Sequence, residues 1–214
     1  MSGLTSAGSM AKCLAECRQA QRSWSEVPLR QRLRVLRQLR LRAAERAGEL
    51  ALSVGRESSA ETLSAEVLPL LDAVRYLERC AVRLLRERRV RPAGRPLWLW
   101  GNRVIRRPEP LGVVLVIGPG NYPLYLPGVQ LVQALAAGNG VLLKPAPGCA
   151  GPLRMLLQLA IESGLPEGLV HLLEDSTEAG SEALRCGVDK VVLTGAASTG
   201  RLVAGQLAAG PTPA

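Results

Sequence analysis

The sequence predicts an α/β chain in which a helical amino-terminal region and a β-hairpin precede a doubly wound parallel sheet of the nucleotide-binding type. Three observations carry that reading. Apolar residues recur at helical spacing through residues 9–88, a Pro/Gly cluster at 91–96 stops the period, and short continuous apolar runs then alternate with helical stretches after Pro110.

Each element can be justified in order. Leu29, Leu33, Leu36, Ala43, Ala47 and Leu50 form one apolar stripe, and Arg30, Arg34, Arg37 and Glu45 fall off it. Pro28 suits a first helical turn, where its missing N–H is not needed. A second helical stretch over 60–87 continues through Leu63, Val67, Leu70, Leu71, Val74, Leu77 and Leu84, with Pro69 as a candidate kink. Leu97-Trp98-Leu99-Trp100 and Val104-Ile105-Arg106 flank Gly101-Asn102-Arg103, which reads as a hairpin turn. Strands are then expected at 112–117, 140–143, 169–173 and 190–193, and helices at 127–137, 151–163, 176–186 and 199–208. Strands with unbroken apolar runs are buried on both faces, which implies a parallel sheet with helices on each side. The organisation is therefore 1–90 helical region, 91–109 hairpin and 110–214 nucleotide-binding domain, with 210–214 resembling a linker.

Composition narrows the function classes. Hydrophobic residues at 47% and charged residues at 21% suit a chain that buries a core. A net charge of +9 invites a nucleic-acid role, but the arginines crowd into 18–107 at helical spacing and aromatic residues make up only 3%, so a solvated helix face is the better account. The start lacks a secretory signal, and the apolar runs are too short for a membrane span, which points to a cytoplasmic protein. Cys13, Cys17, Cys80, Cys149 and Cys186 lack zinc-site spacing and, being odd in number, do not read as a disulfide framework. His171, the single histidine, lies inside an apolar run and supports neither a Ser-His-Asp site nor a multi-histidine metal site. No metal is expected.

Ligands of doubly wound sheets bind beyond the carboxyl ends of the strands. After the first strand, which ends at Ile117, comes Gly118-Pro119-Gly120-Asn121-Tyr122-Pro123, a sharp turn whose Asn121 amide could donate to a developing oxyanion. The same asparagine could instead bond its own backbone as a turn former. After the second strand comes Lys144-Pro145, where the ammonium could meet a ribose hydroxyl or phosphate or simply lie at the surface. After the fourth comes Thr194-Gly195-Ala196-Ala197-Ser198-Thr199-Gly200, a loop into a helix whose free N–H groups suit a pyrophosphate. It does not match G-x-G-x-x-G.

These motifs also occur in an order that resembles the aldehyde dehydrogenase superfamily. Pro110-Leu111-Gly112-Val113-Val114 is followed by the Pro119–Pro123 turn, by Ala136-Ala137-Gly138-Asn139 with Leu143-Lys144-Pro145, by Gly164-Leu165-Pro166-Glu167-Gly168, and by Val188-Asp189-Lys190-Val191 with Thr194-Gly195 and Gly200. The resemblance implies a Rossmann-like domain that binds NAD or NADP and a chemistry in which a cysteine thiolate attacks an aldehyde, hydride passes to the nicotinamide, and a glutamate-activated water releases the carboxylate. By that resemblance Asn121 is the oxyanion donor, Lys144 with Pro145 meets the adenosine ribose, Ile117, Gly118, Pro119 and Gly120 line the cofactor, and Gly195, Ala196, Thr199 and Gly200 lie by the pyrophosphate. An aldehyde substrate and a homo-oligomer in the full-length form are implied as well.

The chain departs from the family pattern at Gly120, where Trp is usual, at Pro147, where an acidic residue is usual, and at Ala196, where Ser is usual. The segments bearing the catalytic cysteine and the general-base glutamate are not in this chain, so a fragment inactive by itself is expected. A noncatalytic nucleotide-binding or interaction module of the same fold is the alternative.

Overall fold

The computed structural model describes residues 7–91, 93–94 and 96–208. Pro92 and Arg95 of the expected break, and the linker-like 210–214, lie outside the described residues.

The helical region begins with α1 (Ala7–Glu26), α2 (Leu29–Glu45), α3 (Ala47–Ser53) and α4 (Ser59–Thr62). A π turn over Leu63–Val67 then leads into α5 (Leu68–Leu84). The π turn is the form that the expected kink takes. Pro69 has no N–H to give to residue 65 and its ring crowds that carbonyl, and widening the preceding turn relieves both. Leu68 N–H correspondingly reaches back to the Leu63 carbonyl. Leu33, Leu36, Leu39 and Ala43 of α2 are buried together with Leu70, Val74, Leu77 and Ala81 of α5, and the Arg40–Glu78 pair at 2.6 Å closes the seam between the two helices.

The hairpin corrects the sequence reading. Strand β1 (Arg88–Val90) pairs antiparallel with β2 (Val104–Arg106), whereas Leu97–Leu99 forms one 3-10 turn inside the connection. The helical period therefore ends at Leu84 rather than near 88, and the expected 97–100 strand does not form. Pro96 carries no donor for a ladder and starts the turn, with the Leu99 N–H closing on the Pro96 carbonyl at 2.9 Å.

The second half is a four-stranded parallel sheet built from β3 (Val113–Ile117), β4 (Gly140–Lys144), β5 (Val170–Leu172) and β6 (Lys190–Leu193), in the order β5-β4-β3-β6. The intervening helices are α6 (Tyr125–Ala136), α7 (Ala150–Glu162) and α8 (Thr177–Arg185), and α9 (Ala197–Ala208) follows the last strand. Strand pleating sends alternate residues to opposite faces. Val114, Val116, Val141 and Leu143 join the core shared with α2, α5, α6 and α7. Val113, Leu115, Ile117 and Leu142 join a second core with Met10, Leu14 and Cys17 of α1 and Ala183 and Leu184 of α8. His171 falls on the edge strand β5 and is partly buried.

Helix α1 also ties down the amino-terminal rim of the sheet. Trp24 Nε1 donates to the Leu135 carbonyl (2.9 Å), Gln21 Nε2 to the Gly138 carbonyl (3.0 Å), and Arg18 to Asp189 and the Gly187 carbonyl (both 2.7 Å). These bonds occupy the amino-terminal rim and leave the carboxyl rim uncovered by α1. No helix among the described residues is long and apolar enough to cross a membrane.

Candidate cofactor and oxyanion site

Three strand ends are fastened together at the carboxyl rim. Gly118 N–H donates to the Lys144 carbonyl at 2.9 Å, joining the exits of β3 and β4, and Thr194 N–H donates to the Ile117 carbonyl at 3.1 Å, joining β3 to β6. Gln130 on α6 donates to the Thr194 hydroxyl at 2.7 Å from below. The turns at 118–123, 144–147 and 194–199 therefore open into one cavity of about 780 Å³. That volume is of the size that holds a cofactor.

Of the residues singled out from sequence, Ile117, Gly118, Pro119, Gly120, Asn121 and Lys144 line this cavity, as do Gly195, Ala196 and Thr199. Pro145 and Gly200 do not: Pro145 is buried as the chain leaves the sheet, and Gly200 sits one turn into α9. That helix begins at Ala197, two residues earlier than expected, so its first free N–H groups belong to the loop itself.

The Asn121 side-chain amide makes no hydrogen bond among the described residues, so the turn-former reading does not describe it. Its position is set by its backbone instead. Arg56 donates to the Asn121 carbonyl, sits 5.3 Å from the centre of the Tyr122 ring, and lies 3.0 Å from Glu66 Oε1. Oε1 accepts no directed hydrogen bond, so that contact is an ion pair. The other oxygen, Oε2, accepts from the Leu124 and Tyr125 N–H groups at 2.8 and 3.1 Å, which caps the start of α6 with a carboxylate.

Lys144 is only 7% exposed. Desolvation lowers its pKa, and Asp175 and Glu178 oppose that shift from a distance. Its ammonium makes no hydrogen bond or ion pair among the described residues. Asp175 is otherwise engaged, accepting from the Gly148 N–H at 2.7 Å.

Sequence reasoning missed the far wall of the cavity. Thr177, Gly180, Ser181 and Leu184 of α8 face Leu202, Val203 and Gln206 of α9 across a slot, and Gln206 Nε2 donates to the Ser181 hydroxyl at 3.1 Å. The available signal was the Gly180-Ser181 pair, small residues inside a helix that flanks the rim. No cysteine is among the described residues that line the cavity. Burial pushes the Cys13, Cys149 and Cys186 thiols up and the Cys17 thiol up to about 12, so these four hold their protons at neutral pH.

The family profile described as Aldehyde dehydrogenase family matches residues 4–213. The chain belongs to the aldehyde dehydrogenase family. A 4,4'-diapolycopene aldehyde oxidase of Methylomonas sp is 34% identical over 204 residues, which are 94% of this chain and 38% of that protein. A crystal structure of a putative aldehyde dehydrogenase from Burkholderia cenocepacia superposes with TM-score 0.83 at 26% identity, covering 94% of this chain and 41% of that one. The NAD+ complex of an aldehyde dehydrogenase from Bacillus cereus superposes with TM-score 0.85 at 24% identity, covering 97% and 42%, and shows the shared fold. This aldehyde dehydrogenase family chain thus spans about two fifths of the length of the relatives it matches.

Proposed function

We propose that this chain is the cofactor-holding and oxyanion-donating portion of an NAD(P)-dependent aldehyde dehydrogenase. The observation that carries the reading is the convergence of the 118–121 turn, Lys144 and the start of α9 on one cavity. The residues present fit a dinucleotide in three ways. The slot between α8 and α9 is walled by Leu184, Leu202 and Val203 and suits a flat base. The α9 N-terminus, with Gly195 leaving its backbone open, offers N–H groups and partial positive charge to a pyrophosphate. The Lys144 ammonium, without a hydrogen bond or ion pair among the described residues, calls for an acceptor from a ligand.

When bound, NAD or NADP supplies the hydride acceptor for oxidation of an aldehyde to a carboxylate. The chain's own residues bind and orient. Asn121, its side-chain amide without a partner among the described residues and its backbone held by Arg56, presents an amide N–H to an oxygen that gains negative charge, and such a donor is worth about 3 kcal/mol in a transition state. Ile117, Gly118, Pro119 and Gly120 bring the cavity wall close to the cofactor, and Ala196 and Thr199 flank the pyrophosphate with Gly200 behind them in the helix. In this reading the chain's part is to bind and orient rather than to supply the nucleophile, since none of the described residues lining the cavity is a cysteine. An aldehyde as substrate, assembly into a homo-oligomer and a cytoplasmic location belong to the same reading.

Titration calorimetry of the 214-residue chain with NAD+ and NADP+ tests it. Saturable binding of at least one dinucleotide with 1:1 stoichiometry, lost when Gly195→Pro removes the open backbone, is the expected result. A folded chain that binds neither would overturn the proposal.

A further inference from the structure

The segment from Arg86 to Arg107 is built unlike the rest of the chain. It holds eight arginines and one acidic residue, Glu87, which is taken up by Arg107 at 2.9 Å. Among the described residues Arg89, Arg103 and Arg106 make no ion pair, and Arg88 donates only to the Arg83 carbonyl. Every described residue of the segment is exposed, so neither face of the β1–β2 ribbon rests on a core. A two-stranded ribbon in water is marginal by itself.

Two further features work against the ribbon as it stands alone. The register sets Arg88 directly opposite Arg106, and like charges in that position repel. The connection between the strands carries Leu97 and Trp98 into solvent, and Val104 and Ile105 are exposed on β2. A partner that relieves both must be anionic and must also accept apolar side chains. A second copy of the chain meeting the same face would set arginine against arginine. A nucleic acid would neutralise the arginines but leave Leu97, Val104 and Ile105 in water. An anionic lipid surface meets both demands, with phosphates for the guanidinium groups and an interfacial layer for the Trp98 ring.

We propose that the 86–107 ribbon docks the chain onto an anionic bilayer surface, with the arginines of β1 and β2 on the lipid phosphates and Leu97 and Trp98 entering the interface. The chain lies on that surface rather than crossing it. None of the ribbon's described residues lines the cofactor cavity, so docking and dinucleotide binding are separate properties and either can fail without the other.

Sedimentation of the 214-residue chain with lipid vesicles tests the proposal, with circular dichroism confirming that every variant is folded. The chain should partition into vesicles of equal parts phosphatidylglycerol and phosphatidylcholine and not into phosphatidylcholine alone, and added salt should weaken the binding. Arg106→Gln should reduce partition about fivefold and Arg106→Glu about thirtyfold, because each unit of charge contributes a similar increment. Arg106→Glu also sets opposite charges across the strands at Arg88, so partition should fall without a lower melting temperature, a split that a purely structural role for Arg106 would not produce. Trp98→Ala should reduce partition about tenfold and shrink the blue shift of tryptophan emission on adding vesicles. A folded chain that stays in solution with anionic vesicles would overturn the proposal, as would equal partition into neutral ones. Unchanged partition in both Arg106→Glu and Trp98→Ala would overturn the ribbon as the docking element. Duplex DNA or RNA bound in place of vesicles, or self-association abolished by Trp98→Ala in a chain that binds no vesicles, would assign the face to a different partner and overturn it as well.

Discussion

Arg56 and Glu66 form an ion pair, Nη2 to Oε1 at 3.0 Å, that couples the π turn before α5 to the backbone of the Asn121 turn. The Glu66 side chain is fully buried, and the same carboxylate caps the first N–H groups of α6. One side chain thus fixes where α6 starts and, through Arg56, where the Asn121 carbonyl sits. Glu66→Ala should leave a half-buried guanidinium without its counter-charge and two helix N–H groups without an acceptor, and lower stability by about 3 kcal/mol. Glu66→Gln keeps an acceptor for one N–H and should cost less. Chemical denaturation measures both; an alanine variant within ~0.5 kcal/mol of the parent would mean that the pair does not hold the turn.

Gly112 precedes β3 at φ 123°, a conformation that side chains rarely adopt. A Cβ there would come within 2.3 Å of Asp189 Oδ2. Asp189 cannot retreat freely, because it accepts from the Val113 N–H at 2.7 Å and pairs with Arg18 at 2.7 Å. Gly112→Ala is therefore expected to lower stability by about 2 kcal/mol or more, combining backbone strain with loss of the rim network. Arg18→Ala tests the partition: with one restraint on Asp189 removed, the cost of Gly112→Ala in that background should fall.

How much of this was legible in the sequence depended on what each element touches. The four parallel strands were readable because Val113–Ile117 and Gly140–Lys144 are buried on both faces and so carry continuous apolar runs. Arg88–Val90 was not readable as a strand, because all three of its residues are exposed and its Arg-rich sequence continues the look of the preceding helix. Leu97 and Trp98 alternate in type with their neighbours but are 75% and 82% exposed, so their apolar character reports no burial in this chain. The rim turns were legible since a turn that follows a buried strand must surface at the strand's carboxyl end. The α8–α9 slot was not, because Gly180, Leu202 and Val203 look like ordinary helix residues until the two helices are placed side by side. Nor could the Arg56–Glu66 pair be foreseen, since a buried carboxylate leaves no periodic signal.

Cys17 offers a pH-dependent consequence of packing. Its thiol donates to the Leu169 carbonyl at 3.3 Å, and burial pushes its pKa up to about 12. A thiol that ionises less readily in the folded chain contributes stability that is fully present below its ordinary value of 9.0 and is lost as pH rises from there toward 12. Denaturation midpoints should therefore decline from pH 9 upward more steeply in the parent than in Cys17→Ala, after allowing for the uniform loss from the smaller side chain. Native alkylation at pH 8 should label the partly exposed Cys13 well before Cys17, as mass spectrometry of the labelled peptides would reveal.

Lys144 makes the opposite contribution. Desolvation lowers its pKa in the folded chain, only partly opposed by Asp175 and Glu178, so the folded state holds this proton less tightly than the unfolded one. The charge thus subtracts stability at neutral pH, and the deficit shrinks as pH rises through the lowered folded value toward the ordinary 10.5. Lys144→Met retains the stem against Gly180 and removes the charge, so the ligand-free chain should gain about 1 kcal/mol at pH 7. That gain should diminish as pH climbs, because the parent's lysine is then neutral too. A residue whose charge weakens the ligand-free chain is what a binding site, rather than a core, is expected to contain. Thermal melts of parent and variant at pH 7 and pH 10 decide the matter: a methionine variant less stable than the parent at pH 7 would mean that the ammonium has a favourable partner within the chain.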